Sequence, residues 1–190
     1  MQLADPYFAV TVPFDVTDAY TYSKENDISF FGKYLHDCMK AINSTENMRL
    51  RILNNEVVEY DTIHASATIM RPNKTFAFSF INFDENLEVF LGNLNKEKER
   101  IMSTDDLYPP VNGLDCIHCS ALPWSNFSGH KEPVSGKLES VPKLAFGKIE
   151  RNVDKRLIMN VGISANHALA DGYHIGLFTE AFQENLNRKL

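Results

Sequence analysis

The sequence predicts an α+β fold, a mixed, largely antiparallel sheet packed against helices, in a single domain over residues 1–190. Three observations lead there. Strand-like stretches outnumber helical ones; several strands come in pairs around tight-turn residues; and helical patterns fall between those pairs rather than after every strand. The composition suits such a core, with 44% apolar and 23% charged residues in 190.

The elements follow in chain order. Residues 7–16 alternate and are rich in β-branched and aromatic side chains, hence a strand. After Asn26-Asp27-Ile28-Ser29, a helix start, Phe30, Phe31, Tyr34, Leu35, Cys38, Met39 and Ile42 recur at helical spacing. Residues 49–53 and 57–60 flank Asn54-Asn55, a hairpin signal, and residues 63–70 and 75–83 flank Pro72-Asn73. Leu87, Phe90, Leu91, Leu94, Ile101 and Met102 predict a second amphipathic helix. A strand over 114–121 follows, then a polar, Gly- and Ser-containing surface loop over 125–142. Strands over 144–149 and 156–165 and a closing helix over 172–188 complete the chain.

Net charge is −6, with 7 basic against 13 acidic side chains in residues 1–95 and 12 of each in residues 96–190. That balance disfavours binding to a phosphate backbone, so no nucleic acid is expected. No apolar run spans a bilayer and no signal-peptide pattern opens the chain, so no membrane partner and a cytoplasmic setting are expected. Cys38, Cys116 and Cys119 make no disulfide framework. Cys116-Ile117-His118-Cys119 looks like half a zinc site, but no second ligand pair follows at zinc spacing, and on a strand Cys119 faces away from Cys116 and His118. No metal is expected.

Two stretches carry candidate chemistry. Asn166-His167-Ala168-Leu169-Ala170-Asp171-Gly172-Tyr173-His174 joins a strand to a helix, a rigid mount for a catalytic base. Taken alone it also reads as a capped helix behind a hydrogen-bonded histidine, or as a metal group of His167, Asp171 and His174. Ser120-Ala121-Leu122-Pro123-Trp124 ends a strand. There a fixed hydroxyl could donate to an oxyanion, and Trp124 alone reads as a buried anchor.

Together the two stretches resemble the trimeric chloramphenicol acetyltransferase family. His167, Asp171, Gly172, Tyr173 and His174 match its His-x-x-x-Asp-Gly-aromatic-His motif, and residues 120–124, with Asn126 and Phe127, match its Ser-Ala-x-Pro-Trp strand end. Weaker similarity runs through residues 14–17, 49–52 and 57–61. The resemblance implies the coenzyme A-dependent acyltransferase fold and acetyl-CoA as co-substrate. The acceptor would be a hydroxyl of chloramphenicol or a similar small molecule, and the assembly a homotrimer with sites between subunits. His167 would be general base, Ser120 oxyanion donor and Asp171 a structural carboxylate held by an arginine. Lys148 and Trp124 would lie on the coenzyme side, and Phe8, Phe76 and Phe78 would wall the acceptor pocket. The family's arginine-bearing segment before the first strand has no match in residues 1–6, and Ala145 stands where the family often has threonine. Two other readings stand beside the first: an inactive relative that binds or assembles, which the missing arginine segment motivates, and an acyltransferase acting on a thiol such as a dihydrolipoyl group, since the His-x-x-x-Asp-Gly motif is shared with dihydrolipoyl acyltransferase domains.

Overall fold

In the computed structural model, which describes residues 5–133 and 139–188, a nine-residue strand β1 (Tyr7–Asp15) leads directly into the helices. The next elements are α1 (Thr17–Glu25), α2 (Phe30–Ser44), a short α3 (Glu46–Arg49) and the hairpin β2 (Leu50–Leu53) and β3 (Glu56–Glu59). The second half runs β4 (His64–Met70), β5 (Phe76–Phe78), α4 (Leu87–Ser103), β6 (Cys116–Ala121), β7 (Lys143–Arg151), β8 (Leu157–Asn166) and α5 (Gly172–Asn187). The expected elements are present within the described residues, but the strand expected over 75–83 shortens to Phe76–Phe78 with an isolated bridge at Ile81, and α1 and α3 were not read from the sequence. Residues 134–138 of the expected 125–142 loop lie outside the described residues.

The main sheet has the order β1-β8-β7-β6-β4-β5. β1/β8, β8/β7 and β4/β5 are antiparallel, while β4/β6 and β6/β7 are parallel. The mixed, mainly antiparallel character is as expected. Helix starts follow local chemistry: the Ser29 side chain accepts from the Gly32 N–H at the head of α2, and Asn86 accepts from Glu88 and Val89 at the head of α4. The β2–β3 turn puts both Asn54 and Asn55 at positive φ (52° and 63°), the conformation a two-residue hairpin needs and asparagine tolerates.

One face of the sheet forms the core. Ile117 and Cys119 of β6, Leu144 and Phe146 of β7 and Val161 and Ile163 of β8 pack in one cluster with Leu35, Cys38 and Met39 of α2 and Phe178 and Phe182 of α5. Their strand neighbours point the other way, so His118, Ser120, Lys143, Ala145, Gly162 and Ser164 share the outer face. The segment after β6 lies over part of that face. Gly147 and Gly162 make room for it, since a Cβ at either would meet the Phe127 ring or the His130 side chain at 3.1 Å. Among the described residues no helix is long and apolar enough to cross a membrane.

Candidate active site

His167 sits just past the end of β8, on a turn built almost entirely by its neighbours. The His167 N–H donates to the Pro6 carbonyl at 2.9 Å, which extends the β1–β8 pairing by one bond. Asn166 is 2% exposed and its amide works in both directions. Nδ2 donates to the Glu139 carbonyl at 2.7 Å and Oδ1 accepts from the Ala168 N–H at 2.9 Å. Asn47 of α3 ties the far side, donating to the Leu169 carbonyl at 2.7 Å. Neither asparagine was singled out from the sequence. The signal at Asn166 was its place one residue before a turn, where asparagine closes a local loop.

The imidazole of His167 is exposed, lies 5.1 Å from the Phe8 ring, and has Nδ1 at 3.2 Å from the Ala170 carbonyl. A carbonyl oxygen only accepts, so Nδ1 is the donor in this contact, and in the neutral ring the lone pair lies on Nε2. That is the form of histidine that can take a proton from a substrate.

Asp171 is the N-cap of α5. Its carboxylate accepts from the Tyr173 N–H at 2.9 Å and the His174 N–H at 3.3 Å. The hydrogen bond from the His174 N–H, ahead of that from Tyr173, holds its carboxyl below the usual carboxylate range. His174 Nδ1 lies 3.2 Å from the Asp171 N–H and 2.8 Å from the Asp171 carboxylate. Neutral, it accepts from the N–H; protonated, it donates to the carboxylate. Among the described residues the side chain that contacts the Asp171 carboxylate is therefore His174, an ion pair when that ring is protonated, and not an arginine. With 52% of its side chain exposed, this carboxylate is not a stranded buried charge. His174 is thus spent on the helix cap, and no group of three or more metal-binding side chains gathers among the described residues.

Ser120 lies on the outer face of β6, half-buried, and its hydroxyl has no hydrogen-bond partner among the described residues. Trp124 is 69% exposed, which corrects its reading as a buried anchor: the chain turns outward after Pro123. Lys148, on the β7 bulge, borders a cavity of about 530 Å³ floored by Phe30, Tyr34, Phe146 and Met159 and reaching Ala121 and Pro123 beside Ser120. The thiols are inert by comparison. Burial pushes Cys116 up to about 12 and raises Cys38 and Cys119 as well.

One chain does not bring the two catalytic candidates together. Ser120 faces Ala145 and Ala145 faces Gly162, while His167 lies farther along, beyond the end of β8. With strands about 4.8 Å apart and about 3.4 Å per residue, the two side chains are on the order of 15–20 Å apart. The aromatic candidates divide likewise: Phe8 is on β1 and Phe76 and Phe78 on β5, the opposite edges of the sheet. Phe78 stacks on Tyr108 at 5.3 Å, and Phe76 is 49% exposed.

A family model described as chloramphenicol acetyltransferase matches residues 1–183. The chain is 25% identical over 186 residues to chloramphenicol acetyltransferase 3 of Escherichia coli, covering 96% of this chain and 87% of that protein. It is 26% identical over 183 residues to the chloramphenicol acetyltransferase of Bacillus pumilus, covering 95% and 83%. Among solved structures, a chloramphenicol acetyltransferase superposes with a TM-score of 0.86 at 24% identity, covering 96% of this chain and 89% of that one. The dihydrolipoamide acetyltransferase of Azotobacter vinelandii superposes with a TM-score of 0.72 at 12% identity, covering 96% and 82%. The acyltransferase fold expected from the sequence is thereby borne out.

Proposed function

Because the chain belongs to the chloramphenicol acetyltransferase family, whose members are acyltransferases, we propose that it moves the acetyl group of acetyl-CoA onto a hydroxyl of chloramphenicol or a similar small molecule. The observation that carries this reading is the place of His167 on an exposed turn with Nδ1 3.2 Å from the Ala170 carbonyl, a contact that leaves Nε2 to a substrate.

The residues fit the co-substrate. The cavity beside Lys148 is apolar and aromatic, suited to a pantetheine arm, and the lysine supplies a cation for an anionic coenzyme. Trp124, next in the chain after Pro123 of that cavity, is exposed and offers a flat surface to the coenzyme. Acetyl-CoA supplies an acyl group on a good thiol leaving group; the chain supplies the rest. His167 Nε2 takes the proton of the acceptor hydroxyl as its oxygen bonds to the acetyl carbonyl carbon. Ser120 Oγ–H donates to the oxyanion that develops on the carbonyl oxygen. As the carbon–sulfur bond breaks, His167 returns its proton to the departing sulfur, leaving an ester and a free thiol. Asp171 acts on the turn, through the α5 cap, and not on the imidazole.

The separation of His167 from Ser120 supports a site shared between chains, His167 of one copy meeting Ser120 of the next, in a homotrimer. In that arrangement Phe8 near His167 and Phe76 and Phe78 on the far edge wall one pocket from two sides.

The test is thiol release from acetyl-CoA with chloramphenicol and other hydroxylated acceptors. His167→Ala lowers kcat by at least about 10²-fold with the fold intact by circular dichroism. Folded wild-type protein that releases no thiol with any acceptor would overturn the reading.

A further inference from the structure

The acceptor side of Ser120 is polar in this chain, and the polarity is built in. His118 precedes Ser120 on the same face of β6, and across β7 its register partner is Lys143. Lys143 is 8% exposed, and its ammonium donates to Glu139 Oε2 at 2.7 Å and the Pro133 carbonyl at 2.6 Å while lying 5.2 Å over the Tyr7 ring. These groups open onto a cavity of about 480 Å³ lined also by Ser140, Asn112 and the Leu114 turn. It is distinct from the apolar cavity beside Lys148. The two open toward different ends of β6, the apolar one beside Ala121 and Pro123 and this one beside His118 and the Leu114 turn.

The imidazole of His118 has no hydrogen-bond partner among the described residues, although it borders this cavity. Packing on its inner sides, then Lys143, lowers its pKa, so near neutral pH it offers one donor and one acceptor. Lys143 is held by the Glu139 carboxylate, so the pair presents both signs of hydrogen-bonding group without a net charge. An apolar ring laid over this wall would strip water from an imidazole and an ion pair and return no bonds. Vicinal hydroxyls, each both donor and acceptor, return them.

Resting on the acetyl-transfer reading above, we propose that the preferred acceptor is a polyhydroxylated, saccharide-like molecule, with His118 and the Lys143–Glu139 pair as the specificity-determining groups. Its reacting hydroxyl reaches Ser120 while its other hydroxyls bond to this wall.

The experiment compares glucose, maltose and chloramphenicol as acceptors by thiol release. Wild-type protein favours a saccharide over chloramphenicol by about tenfold or more in kcat/KM. His118→Leu, at an exposed position that should fold, raises KM for the saccharide more than it lowers kcat and reverses the order; Lys143→Met does the same where it folds. Chloramphenicol preferred by the wild type, with the ratio unmoved in His118→Leu, would sink the proposal while leaving acetyl transfer standing. If no acceptor releases thiol, acetyl transfer fails and the pocket is judged by binding. The proton resonances of the His118 imidazole, assigned by their loss in His118→Leu, then shift with maltose in the presence of CoA; unmoved resonances overturn the proposal.

Discussion

Asp171 separates two roles that a carboxylate before a helix can play. If it served chiefly as a charge, an amide in its place would disable the turn; if it serves as a cap, asparagine would replace it well. Its contacts are to the Tyr173 and His174 N–H groups, which an asparagine carbonyl oxygen can also accept from. Asp171→Asn is therefore expected to keep most of the melting temperature and thiol-release activity, and Asp171→Ala to lose both, with His167 less ordered behind it. Because its folded-state pKa is lowered, the contribution of this group is present above about pH 4 and is lost as pH falls further. The Asn variant then melts with a weaker acid dependence than the wild type, which thermal scans from pH 3 to pH 7 would register. Much of this was legible in the sequence, since Asp before Gly at a helix start reads as a cap. The buried Asn166 was not, because a bifunctional amide earns its place only once the Glu139 carbonyl and the Ala168 N–H converge on it.

Helix α2 buries an ion pair outside its apolar stripe, at positions its periodicity leaves to solvent. Lys33 Nζ lies 2.7 and 2.6 Å from the two Asp37 carboxylate oxygens, with the lysine side chain 0% and the aspartate 4% exposed. Tyr22 of α1 lies under the ammonium at 5.6 Å. Burial raises the Asp37 pKa to about 6, with Lys33 opposing. The native state therefore holds a proton there between about pH 4 and 6 that the unfolded chain has released. The stability this group contributes is complete below that window and falls as pH rises through 6. The two single variants should differ. Asp37→Leu strands a buried ammonium and costs about 3–5 kcal/mol. Lys33→Met leaves a carboxyl that can protonate, so it costs less and extends the fall in stability to higher pH. Lys33→Met/Asp37→Leu recovers most of the loss, as urea denaturation at pH 5 and pH 7.5 would measure. Elements with a strong apolar period, such as α2 and α4, could be read directly. Helix α1 could not: its sequence Thr-Asp-Ala-Tyr-Thr-Tyr-Ser-Lys-Glu lacks a clear apolar stripe. Its start is set by a local contact that a distant one fixes: the Asp15 side chain accepts from the Thr17 N–H and hydroxyl two residues on, and Arg156, just before β8, holds the same carboxylate.

The sheet order sets how far apart the two catalytic candidates lie in one chain. Both motifs were visible as sequence, but their distance was not, because it depends on which strands lie between β6 and β8 and in what register. With His167 and Ser120 on the order of 15–20 Å apart in one chain, neither can act on the bond the other polarises. A shared site makes a sharp prediction about mixed assemblies. Chains carrying His167→Ala still present an intact Ser120, and chains carrying Ser120→Ala still present an intact His167. Each alone should be nearly inactive, the serine variant reduced by about 10²–10³ in kcat. In a mixed trimer with sites between successive subunits, one of the three sites receives both intact residues. Random mixing of equal amounts thus restores about a quarter of wild-type thiol release, since about three quarters of such trimers are mixed. The two variants should be co-expressed with different tags and purified in tandem, so that only mixed assemblies are assayed. Activity near one third of wild type per chain in that pool is the expected result. Activity no higher than that of the single variants would place both residues in one chain's site and refute the arrangement between subunits.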